Sequence, residues 1–280
     1  FELTDGDFLE LAWHGDGSRG TVLVLHGLEG SCRSGYAAGL VHALAAEGRT
    51  CCVMHFRGCG GRLNRYARNY HSGDTGDLAE VISQLRARAP GQPLAVVGYS
   101  LGGNALLKYL GTAAGPMPDA AVAVSVPFRL EAAARTLGRG FSRLYQRHLM
   151  RRLHAKLRAK AHRMHGLVDP RLAHAARDFF RFDDVVTAPL HGFNGVADYY
   201  GRSSCRQYLA AVEVPTLILH ARDDPFMTAA VIPRAEELGP GIELEIAAAG
   251  GHVGFVDGPV PWRAGYWLER RIPAWLRSHL

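Results

Sequence analysis

The pentapeptide Gly98-Tyr99-Ser100-Leu101-Gly102 follows directly on the apolar run Pro93-Leu94-Ala95-Val96-Val97. Together they predict a strand, a tight turn and a helix, with a serine at the turn. Such a turn leaves little room. A side chain at Gly98 or Gly102 would meet the backbone of the neighbouring strand and helix, and Ser100 itself is forced into unfavourable dihedrals. A chain that carries this turn must place it at a sheet edge, where the serine hydroxyl stands free and the first N–H groups of the helix can face an anion.

The surrounding pattern supplies the sheet. Apolar, β-branched runs at Thr21–His26, Cys51–His55, Leu94–Tyr99, Ala120–Val126, Thr216–His220 and Ile242–Ala247 read as strands. Between and after them, Gly35–Glu47, Asp74–Arg88, Leu101–Leu110, Ala229–Leu238 and Trp262–Leu280 read as helices. Continuous apolar strands separated by helices predict a doubly wound, mostly parallel sheet covered on both faces. The opening stretch Phe1–His14 alternates with period two and reads as an antiparallel edge strand or hairpin, turning at Asp5-Gly6-Asp7. The rhythm breaks between about 128 and 205. There Phe141, Leu144, Tyr145, His148, Leu149 and Leu153 follow helical spacing with arginines on the other face. The expectation is one domain over 1–280 with a helical cap inserted at about 128–205, between the fourth and fifth parallel strands.

Charge is distributed unevenly. Of 32 Lys and Arg residues, eleven fall between Arg129 and Arg163, against the single acid Glu131. Such a segment can meet nucleic acid, an anionic lipid or an acidic substrate, and its plainest use is a solvated helix face. No apolar run is long enough to cross a bilayer. A chain starting at Phe1, without methionine and without a signal-peptide pattern, is expected to have been trimmed at its N-terminus. Five irregularly spaced cysteines do not form a disulfide framework. Buried free thiols in a reducing cytoplasm are expected.

A serine nucleophile needs a base, and the base needs an orienting acid. Both residue types follow later strands. The run Thr216–His220 leads into Ala221-Arg222-Asp223-Asp224-Pro225, and Ile242–Ala247 leads into Gly250-Gly251-His252-Val253-Gly254. His252 lies between glycines that let its loop approach the serine, and imidazole suits a base working near neutral pH. Either Asp223 or Asp224 can be the acid. Register with a small-x-x-Asp-Pro loop favours Asp224, leaving Asp223 to pair with an arginine or to cap the next helix. An oxyanion would be held by the backbone N–H of Leu101, just after the serine, and of Leu28, where Gly27 lets the loop turn. His26 reads as a hydrogen-bonder that orients this loop. No metal-ligand spacing, GxGxxG or P-loop is present, so neither a metal nor a nucleotide cofactor is expected.

The run from Gly98 to Gly111, with His55-Phe56-Arg57-Gly58-Cys59-Gly60-Gly61, Tyr70-His71-Ser72-Gly73-Asp74-Thr75, Asp223-Asp224-Pro225-Phe226 and Gly250-Gly251-His252-Val253-Gly254-Phe255, resembles the YheT-like α/β-hydrolases. The similarity covers nearly the whole chain. It implies the α/β-hydrolase fold and a serine esterase acting on short- to medium-chain acyl esters without a cofactor. Tyr99, Arg57, His71 and Asp223 then become candidates for supporting the site or touching substrate. Arg57 is expected to bond loop carbonyls, and His71 to pack near the mouth. Acyl transfer to an alcohol, or lipid deacylation, would use the same acyl-enzyme. A different class of reading is a non-catalytic protein that binds membrane surfaces through its basic segment. The partners expected are a small acyl ester, no nucleic acid, and a weak peripheral contact with anionic membrane.

Overall fold

The strand runs form a seven-stranded sheet because their side chains alternate between two apolar layers. In a computed structural model that describes residues 1–280 except Ala114, Pro259, Pro261 and Trp262, the strands are β1 (Glu10–His14), β2 (Thr21–Leu25), β3 (Thr50–His55), β4 (Leu94–Tyr99), β5 (Ala120–Val124), β6 (Thr216–Ala221) and β7 (Ile242–Ala247). Their spatial order is β1-β3-β2-β4-β5-β6-β7. Only β1 is antiparallel. It pairs with β3 from Glu10 opposite His55 to His14 opposite Cys51, and the other pairings are parallel.

Val22, Val24, Cys51, Val53, Ala95 and Val97 face one layer, with α1 (Gly35–Ala46) and the C-terminal helix (Leu268–Arg277) packed on it. Leu23, Leu25, Cys52, Met54, Leu94 and Val96 face the other, against α2 (Gly76–Arg88) and α3 (Leu101–Thr112). This is the period-two rule of the strand applied on both faces. Adjacent Cys51 and Cys52 therefore enter opposite layers as free thiols, and burial pushes both up to about 12.

Between β5 and β6 the chain forms α4 (Leu130–Leu137), α5 (Ser142–Ala159), α6 (Pro170–Ala175), α7 (Phe179–Phe182), α8 (Ala188–Leu190) and α9 (Val196–Ser203). The C-terminal helix is accordingly α10. Four expectations need correction. The helix expected over Ala229–Leu238 is two separate 3₁₀ turns, Ala229–Val231 and Ala235–Glu237. Pro233 between them offers no N–H to continue a helix. The terminal helix begins at Leu268 rather than at Trp262, which lies outside the described residues. Before it, Val256–Asp257 and Gly265–Tyr266 pair as a short antiparallel ladder. At the start of α5, Phe141 and Leu144 are exposed rather than packed inward, and Phe141 is 87% accessible, whereas Tyr145 stacks on Phe226.

Arg57 differs in its partners. It bonds carboxylates rather than loop carbonyls. Its side chain is 1% exposed and forms a two-pronged pair with Asp77 of α2 (2.8 and 2.6 Å), with further contacts to Asp7 (3.0 Å) and Asp5 (2.8 Å). Burial opposes the charge, but the Asp77 and Asp5 contacts outweigh it and hold the guanidinium above its ordinary pKa. The cluster fastens the N-terminal hairpin and α2 to the end of β3. Removing one member strands the others as buried charges. Arg57→Ala is therefore expected to cost about 3–5 kcal/mol in urea unfolding, and a variant as stable as the parent would refute this account.

Candidate active site

Ser100 occupies the turn between β4 and α3 with φ 51° and ψ −115°. A Cβ on Gly98 would lie 2.6 Å from the Gly102 carbonyl oxygen, and one on Gly102 would lie 2.7 Å from that of Leu25. Both glycines are therefore required by contact. The strained serine is held by its own backbone. Its N–H donates to Val124 O (2.8 Å), and its carbonyl accepts from Asn104 N–H (3.0 Å). Positive φ at a non-glycine residue costs about 1–3 kcal/mol and persists only where the surroundings enforce it.

His252 reaches across from the loop after β7. Its Nε2 is 3.0 Å from Ser100 Oγ, and its Nδ1 is 2.8 Å from Asp224 Oδ2. The Nδ1–H donates to the carboxylate, which leaves Nε2 to accept from the serine hydroxyl. Asp224 Oδ1 accepts from Phe226 N–H (2.9 Å), fixing the carboxylate plane. Asp223 points elsewhere. Its Oδ1 accepts from Gly250 N–H (2.8 Å) and Gly251 N–H (2.9 Å). It thus ties the β6 loop to the β7 loop, instead of pairing with an arginine or capping a helix. Val253, with φ 57°, donates its N–H to Ser125 Oγ (3.1 Å) and closes the histidine loop.

The β2 loop forms the opposite wall. Burial pushes the His26 imidazole down to about 3, so it is neutral. Its Nδ1–H donates to Gly27 O (2.7 Å), and its Nε2 accepts from Phe56 N–H (3.2 Å). Gly27 N–H is taken by Tyr36 Oη (2.8 Å). Among the described residues, the N–H groups of Leu28 and Leu101 have no acceptor, and both residues line the same cavity as Ser100 and His252. Two free donors beside a hydroxyl held by imidazole can receive developing negative charge on a carbonyl oxygen.

That cavity, about 160 Å³, is roofed by the helices between β5 and β6. Leu137, Leu149, Leu153, Phe179, Phe182 and Val186 give it an apolar wall. His71 also lines it, stacked edge-on against His191 and Phe193, and burial pushes its imidazole down to about 3. Tyr99 does not reach the cavity. Its ring is fully buried beside Tyr36, 4.5 Å between centroids. Arg57 is likewise held away from it by its carboxylates. Among the described residues no three His, Cys, Asp or Glu side chains group as metal ligands.

Some of the supporting residues carry no sequence signal. Glu29, at φ 55°, accepts from Lys156 Nζ of α5 (2.6 Å) and from Tyr70 Oη (2.9 Å). Lys160, fully buried, donates to Asn64 Oδ1 (2.8 Å), Asn69 Oδ1 (2.7 Å) and Arg68 O (2.9 Å). Asn104 donates to Ser72 O and Ser203 O, both at 2.8 Å, and accepts from Cys205 N–H (3.0 Å). These partners lie 32 to 127 positions apart along the chain, beyond the reach of any local pattern.

A seven-stranded, mostly parallel sheet with a serine at a strained strand-to-helix turn defines an α/β-hydrolase, and the family model described as alpha/beta hydrolase fold matches residues 20–259. The chain is 44% identical to "Putative esterase YheT" of Escherichia coli (strain K12), over 100% of this chain and 84% of that protein. It is 31% identical to "Phospholipase ABHD3" of Mus musculus, over 95% of this chain and 67% of that protein. The chain belongs to the YheT-like α/β-hydrolases. Among solved structures, Pyrococcus furiosus esterase Pf2001 superimposes with TM-score 0.63 at 18% identity, over 99% of this chain and 90% of that one. The fold is shared at that distance.

Asn104 joins the elbow helix to two loops, so Asn104→Ala orphans two carbonyls and one N–H. The expected loss is about 3 kcal/mol in denaturant unfolding, with slower fluorophosphonate labelling of Ser100. A change below about 0.5 kcal/mol, the usual range for a surface substitution, would show that these bonds do not hold the turn.

Proposed function

We propose that this chain is a serine carboxylic ester hydrolase. The observation that carries the reading is the line of contacts from Asp224 through His252 to Ser100, 2.8 and 3.0 Å long, at a strained turn. The names of its relatives, esterase and phospholipase, favour acyl esters as the substrate class.

Ser100 Oγ attacks the ester carbonyl while His252 Nε2 takes its proton. Asp224 holds the imidazole tautomer and stabilises the imidazolium. The Leu28 and Leu101 N–H groups receive the oxyanion, a donor pair in which each member is worth about 2.7–4 kcal/mol. His252 then returns the proton to the leaving alkoxide, and water, activated by the same histidine, releases the acid from the acyl-serine. The acyl chain lies along the apolar wall of the cavity. The helical segment at about 128–205 acts as a cap within one domain, and α5 seats it on the catalytic loops. Ser142 Oγ donates to Pro225 O (2.9 Å), and Tyr145 stacks on Phe226, which packs against His252.

The outer face of this cap suits an anionic surface. Arg139, Arg143, Arg147, Arg151, Arg158 and Arg177 line a depression of about 920 Å³, beside the exposed Phe141 and Leu144. Like charges four apart on one helix repel, and an anionic membrane interface would relieve that repulsion while taking the apolar groups.

Hydrolysis of p-nitrophenyl esters of graded chain length is expected to vanish in Ser100→Ala and to fall about 10⁴-fold in Asp224→Asn, the loss known for a triad acid. Asp223→Asn should fall far less. Equal activity in Ser100→Ala and wild type would sink the serine mechanism, and a larger loss in Asp223→Asn would reassign the acid. Absence of fluorophosphonate labelling at Ser100 would favour a non-catalytic binding protein. For the cap, co-sedimentation with anionic but not neutral vesicles at low salt is expected, and no binding at low salt would leave the arginines as a solvated face.

A further inference from the structure

One carboxyl in the cavity has no part in the chemistry above. Asp183 begins a π-helical turn, Asp183–Thr187, which interrupts the passage from α7 to α8. Single π turns are rare and recur at functional sites, because the widened turn re-aims side chains that a regular helix would keep in line. Asp183 lines the same cavity as Ser100 and His252. Its Oδ1 accepts from Thr187 Oγ1 (2.6 Å), and its Oδ2 accepts from Tyr200 Oη (2.8 Å). Among the described residues no Lys, Arg or His pairs with it, and the charge of another acid, Asp178, acts against its ionisation. Burial pushes the carboxyl up to about 6.

Two donors do not satisfy a carboxylate, which offers about four acceptor sites. Val186 and Phe182, beside it in the chain, are apolar and line the same cavity. A plain hydrocarbon chain pressed against this wall would strip the water from the remaining sites and give nothing back, leaving a polar group unpaired. A hydroxyl on the substrate would fill them. It can donate to the ionised carboxylate or accept from the protonated form, so it fits on either side of neutrality.

We infer that Asp183 is a specificity-determining residue that selects esters carrying a free hydroxyl group at the end of the cavity formed by α7 and α9. This rests on the ester hydrolase reading and names the substrate class for the same site. Sites that hydrogen-bond a substrate hydroxyl discriminate strongly against the analogue without it, because the buried partner is left unpaired, whereas a purely apolar pocket discriminates weakly.

The test uses two matched pairs of esters: a propyl ester against the glyceryl ester of the same acid, and an alkyl ester of a fatty acid against that of its terminally hydroxylated counterpart. In wild type at least one hydroxylated member should be preferred by roughly tenfold or more in kcat/KM. Asp183→Leu should abolish or invert that preference by raising turnover of the plain ester. Asp183→Asn keeps the size of the side chain but loses one acceptor oxygen, and should weaken the preference. Thermal unfolding checks that each variant is folded. If Asp183→Leu does not fold, Asp183→Asn decides alone. Absence of a hydroxyl preference in wild type, or one unchanged in a folded variant, overturns the inference, as does a choline ester preferred over both hydroxylated esters, which would make this a site for a cation. If wild type turns over no ester at all, the hydrolase reading has failed, a separate result from turnover without preference.

Discussion

Ser100 is held at φ 51° between β4 and α3, and much of the site is arranged to keep it there. The turn is tight enough that the backbone at Gly102 lies against the β2 carbonyls of Leu25 and His26. The strain is therefore shared with the loop that presents Leu28. Asn104, one helical turn on, binds the loop at Ser72 and the end of α9 at Ser203. A single local conformation thus sets the distance between the serine, the free N–H groups and the entry of the cap. Strain of this kind survives only where the surroundings over-determine it, and here the fastening comes from three separate segments.

Buried charge forms the second layer of fastening. Lys156 and Lys160 both belong to the basic stretch read as a solvated face or an anion-binding surface, yet they turn inward. Lys156 pairs with Glu29, and Lys160 with the oxygens of Asn64, Arg68 and Asn69. Separating Lys156 from Glu29 strands a buried charge, which costs more than the pair contributed, whereas Lys160 faces neutral oxygens and burial pushes its ammonium down to about 7. Arg135, Arg139, Arg143, Arg147, Arg151 and Arg158 of the same stretch face outward around a depression on the helical segment. One helix thus carries two populations of cations, and its sequence alone does not sort them.

This explains what could be read from the chain. The sheet was legible because the continuous apolar runs in Thr21–Leu25, Thr50–His55 and Leu94–Tyr99 are a local property that burial on two faces imposes. The order Ser100, Asp224, His252 was legible because each follows a strand, and parallel strands bring their C-terminal ends to one edge. Register preferred Asp224 to Asp223, and the contact with His252 falls to Asp224. Arg57 was misjudged because its partners, Asp5, Asp7 and Asp77, are brought together by tertiary folding alone. Pro233, visible in the sequence, divides Ala229–Leu238 into two short turns because it offers no N–H to continue a helix. Phe141 and Leu144 have the spacing of a buried face, but the first turn of the helix packs through Ser142 and Tyr145 and leaves those two side chains exposed.

The helix α5 connects these observations. Its first residues bond the acid loop through Ser142 and Pro225, and Tyr145 stacks against Phe226 beside His252. Three turns on, Lys156 reaches the loop after β2 at Glu29, and the next residue past the helix, Lys160, is buried among the oxygens of the loop at Asn69. An 18-residue helix is about 27 Å long, enough to span the site from the Asp224 loop to the loop after β2. Its inward face must then satisfy two demands at once: leucines at 149, 153 and 157 to wall an apolar cavity, and cations at 156 and 160 to fix that wall to the sheet. The helical repeat meets both, because positions three and four apart share a face while their neighbours turn aside. The geometry of the cavity is consequently set by the same contacts that position the loops of Glu29 and Asp224, so the shape of the cavity and the alignment of Ser100, His252 and Asp224 are not independent features of this chain.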